Sequence, residues 1–333
     1  MGQFYAIFRN TFWEAVRQPV FGMMLIIVAL LVMAAPLSGA HIYTLSVGTN
    51  MEHAAQRSVA EMGLSYILLS GLVLAVFVAS GIVNREIEEK TALTVLTKNI
   101  RRVTFVCGKF AGVATAVAMA VASWAMLTML TARFGSNTAA WQGFDFGAFG
   151  GTVLAALVAI AVATWKNYFH GKSWVGNFSL AFFLALTVVF AALACVTSDY
   201  KWAFADGMRG AHDWQIAIAA FLTLEAITIL CALSVAFSTR FSTAVNFCLC
   251  LLLFAGGLTY DFVYANYHAA CPWLLAAWRV AVPHLQAFWM CEALKYEVDI
   301  PWEYAAGCTV YAALYLAGAL CLAAALFDRR EIT

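Results

Sequence analysis

Residues 84–110 read NREIEEKTALTVLTKNIRRVTFVCGKF and place nine charged side chains between two long apolar runs. Of 333 residues only 11% are charged and 64% are hydrophobic, with a mean hydropathy of +0.83. That much apolar surface does not fit inside one soluble core. The chain therefore reads as an all-α polytopic membrane protein, and the charged stretch as a loop leaving the bilayer. On either side of it, runs long enough to cross hydrocarbon, about 20 residues each, lie near 21–37, 62–83, 110–132, 148–165, 178–196, 214–237, 244–263 and 304–327. About eight transmembrane helices are expected, within one transmembrane domain over residues 21–333. Six is the fallback. The run 148–165 is short, and the aromatic-rich linker Lys166–Asn177 separates it from 178–196, so the two could instead form one re-entrant hairpin.

Lys and Arg accumulate in cytoplasmic loops. With both termini cytoplasmic, the eight-helix reading puts 13 of the 19 Lys and Arg residues inside, Arg85, Lys90, Lys98, Arg101, Arg102 and Lys109 among them. Arg57, Arg133, Lys201, Arg209, Arg279 and Lys295 fall outside, and acidic residues lean the same way, so a net charge of +1 conceals a strong asymmetry. Before the first span, Phe4, Phe8, Thr11, Phe12 and Ala15 share one helical face, which suits an amphipathic interfacial helix over residues 1–20. The run that follows ends in Ser38, Gly39 and Ala40 as a cleavable signal would, but so aromatic a leading segment does not suit one. Nine cysteines fall mostly inside apolar runs, where the thiol acts as a small apolar group. Cys271 and Cys291 share an outer loop, where unpaired burial is favoured over a disulfide. No metal-ligand spacing is present, and no metal site is expected.

Gly171-Lys172-Ser173 matches the tail of a phosphate-binding loop. That loop needs G-x-x-x-x-G-K-[ST] so that bare backbone amides can wrap the phosphates, and Lys166 stands at the first glycine position. There is also no H-E-x-x-H pair and no G-x-S-x-G elbow. The chain is not read as an enzyme, no cofactor is expected in it, and nucleic acid is not an expected partner.

Asn84 is a good N-cap, and Glu86, Glu88 and Glu89 follow where acids suit the helix dipole, so a new helix is expected to start at Asn84 after the membrane exit at Val83. Leu93, Leu96, Ile100 and Val103 recur at spacings of three and four, with Lys98, Arg101 and Arg102 off that line. The segment is therefore amphipathic. Such a helix can dock on a partner or rest on anionic headgroups.

The order of residues adds to this. An acidic exit, Glu89-Lys90-Thr91, an apolar turn, Lys98-x-x-Arg101 and Phe105-x-x-Gly108-Lys109 together resemble the permeases of type-2 ABC exporters. In that family the exit of the second helix reads like REIEEGT, followed by L-x-L-x-x-S-K-P-x-x-R and a Gly-Lys pair. Arg85, Glu86, Ile87, Glu88, Glu89, Thr91, Leu96, Lys98, Arg101, Phe105, Gly108 and Lys109 carry the match, with Asn99 where the family usually has proline. Ser238-Thr239-Arg240 ahead of Asn246 is similar to the family's short cytoplasmic turn. Residues 283–289, PHLQAFW, resemble an outer segment written PNLQLF with His284 in place of Asn, and residues 326–331 resemble the charged tail. The nearest likeness is to the permeases grouped with multicopper-enzyme maturation, a group with many unrelated cargoes. The spans between 148 and 196 depart from the family's six-helix plan.

This resemblance implies a permease that lacks its own ATPase. It would pair with a second permease, a copy or a paralogue, and with two soluble ABC ATPase subunits that carry the ATP and Mg. Residues 84–109 would be the coupling segment, with Arg85, Glu86, Glu88, Glu89, Lys90, Thr91, Leu96, Lys98, Arg101 and Arg102 as its contacts. The expected location is the bacterial inner (cytoplasmic) membrane.

Glu225 falls near the centre of the span 214–237, where a carboxylate costs roughly 2.5–3.5 kcal/mol on insertion scales. It reads either as a pathway contact or as a hydrogen-bonded carboxyl tying helices together through Thr223, Thr228 or a neighbouring helix. Residues 264–304 concentrate Tyr and Trp and are broken by Pro272, Pro283 and Pro301. In the resembling family this region forms short helices that dip back, which makes Pro283, His284, Gln286, Phe288 and Trp289 candidates for an outer gate. An aromatic belt is equally compatible with the residues. The alternative to an ABC permease is a secondary transporter, which predicts repeated broken helices and several buried charges, or a membrane scaffold independent of any ATPase.

Overall fold

A backbone surrounded by hydrocarbon has to satisfy its own hydrogen bonds, so apolar runs of this length become helices. The computed structural model describes residues 2–45, 51–88, 102–134, 145–196, 214–267, 272–296 and 298–328. A first helix α1 (Gly2–Arg17) leads into α2 (Pro19–Leu45), α3 (Met51–Glu88) and α4 (Arg102–Ala132). The pair α5 (Phe146–His170) and α6 (Trp174–Ala194) follows, then α7 (Trp214–Ser238), then α8 (Thr243–Leu258) with its continuation α9 (Tyr260–Tyr267). Helices α10 (Pro272–Ala281) and α11 (Cys291–Lys295) flank a 3-10 turn, Leu285–Phe288, and α12 (Trp302–Asp328) comes last.

Among the described residues there is no β-strand, and seven helices are long and apolar enough to cross a membrane. Taken as one broken span, α8 and α9 make an eighth, bent by 61°. At the break the Thr259 hydroxyl donates to the Ala255 carbonyl (2.9 Å), just beyond Gly256 and Gly257. The run 244–263 is thus bent where a continuous span was expected.

Two further expectations are corrected. The stretch 148–196 is neither a single re-entrant hairpin nor a reason to fall back to six helices, because α5 and α6 are 25 and 21 residues long. Most of the aromatic linker is helix. Residues 166–170 continue α5, Gly171 ends it in the left-handed conformation (φ 59°), and the Ser173 hydroxyl accepts from Gly176 N (3.4 Å) to cap α6. Nor does a new helix begin at Asn84. Helix α3 runs through it to Glu88, since residues 82–88 hold neither Gly nor Pro and a helical Asn costs no more than about 0.7 kcal/mol.

Burial separates centre from periphery. Of the apolar window of α7, 78% is buried, against 67% for α4 and 61% for α3, while α5 has 28% and α6 and α12 have 22% each. A helix apolar on all sides belongs at the centre, and α7 packs on α3, α4 and α12. Trp124 of α4, fully buried, donates to the Leu25 carbonyl of α2 (3.3 Å). Asn246 of α8 donates to the Ser234 hydroxyl (3.0 Å) of α7, whose oxygen lies 3.5 Å from the Val76 carbonyl of α3. Cys291 is a free, buried thiol, pushed up to about 12 first by burial and then by Glu61, while Cys271 lies outside the described residues.

The bundle has two chemically different ends. Phe105 at the start of α4 stacks on Phe327 near the end of α12 (5.6 Å), and Gly81 near the end of α3 approaches Gln18. At the opposite end Arg57 Nη1 donates to the Lys295 carbonyl (3.4 Å). Arg17, Arg85, Lys109, Lys166, Lys172 and Arg240 belong to the first end, and Arg57, Arg133, Arg279 and Lys295 to the second.

Candidate functional site

At the end where α3 stops and α4 begins, two glycines decide the packing. A Cβ on Gly108 would lie 2.9 Å from Ile7 Cγ2, and one on Gly112 would lie 2.6 Å from Thr11 Cβ and 2.9 Å from the Phe8 carbonyl oxygen. This small-x-x-x-small stripe lets α1 seat directly on α4, burying Thr11, Ala15 and Val16. The expected interfacial helix is therefore also a packed one. Lys109 lies beside the seat, 3% exposed, its Nζ 3.7 Å from Glu14 Oε2 and 5.8 Å from the Phe105 ring centre. The Gly108-Lys109 pair fastens α1 to the helix that follows the charged segment. Of the expected partner contacts, Arg85 is exposed on the last turn of α3, Glu86 and Glu88 occupy that same helix end, and Arg102 opens α4. Glu89, Lys90, Thr91, Leu96, Lys98 and Arg101 lie outside the described residues.

Glu225 sits half-buried on the central helix α7. Its carboxyl group lies near Thr309 of α12, whose hydroxyl donates to the Ala305 carbonyl (3.0 Å), while Oε2 is shut off from solvent and has no hydrogen-bond partner. Thr223 and Thr228, the other expected partners, donate instead to carbonyls of their own helix, Ala219 (2.8 Å) and Leu224 (2.7 Å).

At the opposite end, three tyrosines on one stripe of α12 hold the segment between α10 and α11. Tyr315 donates to the Ala281 carbonyl (3.0 Å), Tyr311 accepts from the His284 N–H (2.9 Å), and Tyr304 donates to the Ala287 carbonyl (2.6 Å). As the segment advances from 281 to 287, its partners step back from 315 to 304. Tyr315 lies about 20 Å along α12 from Trp302, at 1.5 Å per residue. The chain has thus dipped to the middle of α12 at Ala281 and is climbing out again, which makes it re-entrant. Gly257 creates the space: a Cβ there would lie 2.6 Å from the Pro283 carbonyl oxygen, and one on Gly256 would lie 3.0 Å from Trp278.

The five expected gate residues divide by environment. Pro283 and Phe288 are buried. Gln286 and Trp289 line a cleft of about 410 Å³ with Ser65, Leu68 and Leu69 of α3 and Phe254 and Leu258 of α8. The His284 ring lies over Tyr260 (4.4 Å between centres), with Nε2 3.1 Å from Asp261 Oδ1 but off line for a hydrogen bond. The tyrosine stripe escaped the sequence reading, although its spacing of seven and four was there to be read. A second missed feature, the buried pair Arg133–Asp145 (Nη2–Oδ2 2.9 Å), leaves no local signal at all.

No family model matches the chain, and no curated protein matches it.

Proposed function

We propose that the chain is the permease subunit of an ATP-driven exporter of the type-2 ABC class, with the charged end of the bundle facing the cytoplasm of a bacterial cell. One observation carries this reading. The charged segment 84–109 joins the ends of α3 and α4, two of the most buried helices in the bundle. A force applied there reaches the core directly. Two soluble ATPase subunits, holding ATP and Mg, would press on this segment as they close, and a second permease, a copy or a paralogue, would complete the pathway. Closure would then tilt the helix bundle as a rigid body between inward-facing and outward-facing arrangements. The clustering of cations at this end agrees with a cytoplasmic placement. The re-entrant segment at the other end, walling a cleft with Gln286 and Trp289, suits an exit gate for a cargo carrying both apolar and polar groups. ATP hydrolysis belongs to the partners, and charges such as Glu88 and Arg101 set which partner binds more than how tightly.

The experiment is affinity capture of the tagged chain from mild detergent, followed by identification of co-purifying proteins. Recovery of a soluble ATPase that is lost in Glu88→Lys and in Arg101→Glu is the expected result. Retention of the same ATPase by both variants, or capture of the intact chain with none, would overturn the reading in favour of a secondary transporter or scaffold.

A further inference from the structure

We propose that the Asp261–His284 contact is a proton-sensitive latch that pins the re-entrant segment to the broken span. His284 stands at the turn of that segment, between the end of α10 and the 3-10 turn that carries Gln286 to the cleft. Asp261 lies in the first turn of α9, beyond the 61° bend. The contact therefore joins the two least regular pieces of the bundle. Side-chain exposures of 30% for His284 and 59% for Asp261 leave the carboxylate and part of the imidazole open to solvent, although Nε2 itself is covered.

The geometry makes the contact depend on charge. Nε2 is 3.1 Å from Oδ1, yet it is off line for a hydrogen bond, so the attraction is mainly Coulombic and non-directional. Tyr260, 4.4 Å beneath the ring, adds a cation–π contribution only when the imidazole is charged. The other titratable groups near this turn are committed elsewhere. On α12, Tyr311 accepts from the His284 backbone, and Tyr304 and Tyr315 bond the carbonyls of Ala287 and Ala281. On α10, Arg279 lies over the Tyr264 ring (5.4 Å), and on α7, Glu225 lies near Thr309. Asp261 is left as the charge that meets the imidazole.

Imidazole is the side chain whose ordinary charge change falls between about pH 5 and pH 8. With the imidazolium formed and the carboxylate still ionised, the latch holds. As pH rises and the imidazole loses its proton, attraction to Asp261 and Tyr260 fades and the segment is released. Protonation on this face of the protein thus sets how freely the cleft wall at Gln286 and Trp289 moves. This device is independent of any ATPase, so its failure would leave the proposed function standing.

The test is amide hydrogen exchange on the full chain in lipid nanodiscs, at about pH 5 and about pH 8, corrected for the chemical exchange rate. The reporter is the peptide covering 282–289, whose His284 N–H is bonded to Tyr311. In the wild type the opening constant of this peptide should be about fivefold smaller at the acid pH, the gain expected from a charged over a neutral contact. Peptides from α5 provide the reference and should not differ. In Asp261→Asn and in His284→Gln the pH dependence should disappear. Asp261 is exposed enough for asparagine to leave the fold intact, so that arm stands even if His284→Gln fails to fold. Equal opening at both pH values in the wild type, or a pH dependence that survives either substitution, overturns the latch.

Discussion

Arg133 and Asp145 retain only 6% and 1% of their side-chain exposure, yet every polar contact they need is present. Arg133 Nε donates to Asp145 Oδ2 (3.1 Å), Nη1 to the Leu193 carbonyl (2.8 Å) and Nη2 to the Val196 carbonyl (3.1 Å), while Asp145 Oδ1 accepts from Ala148 N (2.9 Å). One guanidinium thereby closes the ends of α4 and α6 and holds the acid that caps α5. Arg133→Ala should lower stability by about 3–5 kcal/mol, since it leaves a buried carboxylate without its partner. The double variant Arg133→Met, Asp145→Leu should be less damaging than either single change, because it removes both charges together. Unfolding by denaturant titration in detergent checks both outcomes. Arg133→Lys should recover only part of the loss, as a point charge cannot serve one carboxylate and two carbonyls. From the sequence these two residues were ordinary outer charges. Their roles depend on carbonyls about 60 residues away, which no spacing rule reaches.

Among elements, glycines decide which pieces approach. Gly257→Ala should push the re-entrant segment away, because the new methyl group would meet the rigid Pro283 carbonyl at 2.6 Å. Faster exchange across 282–289 at every pH, with a stability loss of about 1–3 kcal/mol, is the expected outcome of hydrogen exchange and unfolding together. Gly112→Leu should lift α1 off α4 without melting α4, which limited proteolysis at Arg9 and Arg17 would detect as faster cleavage. Element positions were largely legible, since a span must be about 20 residues long to cross hydrocarbon. Element ends were less so. Asn84 carries every local mark of a helix start, but nothing in the preceding turn stops α3, so the helix continues to Glu88. The bend after Leu258 has no proline to announce it, and only the neighbouring wall formed by Trp278 and Pro283 explains the paired glycines before it.

For the whole molecule, counting the bent pair α8 and α9 as a span gives eight crossings, which would place the N-terminal helix and the end of α12 on the same side of the membrane, together with the charged segment. Reporter fusions ahead of residue 2 and after residue 333 should give the same compartment signal, and opposite signals would mean that the broken pair α8 and α9 does not cross. The sequence by itself determined the class of protein, the position of each span and the charge difference between the two ends. These follow from composition counted along the chain, because hydrocarbon forces each apolar run to bond within itself and membrane insertion sorts the cations between loops. Tertiary structure alone decided that α7 is central and that Glu225 faces Thr309 of α12. It also decided that α1 packs on Gly108 and Gly112, and that residues 281–287 return to mid-depth under three tyrosines. Each of these outcomes joins groups distant in the chain, such as Lys109 with Glu14 or Tyr315 with Ala281. Such partners become neighbours only once helices pack, and a buried polar group is satisfied by whatever that packing brings within reach.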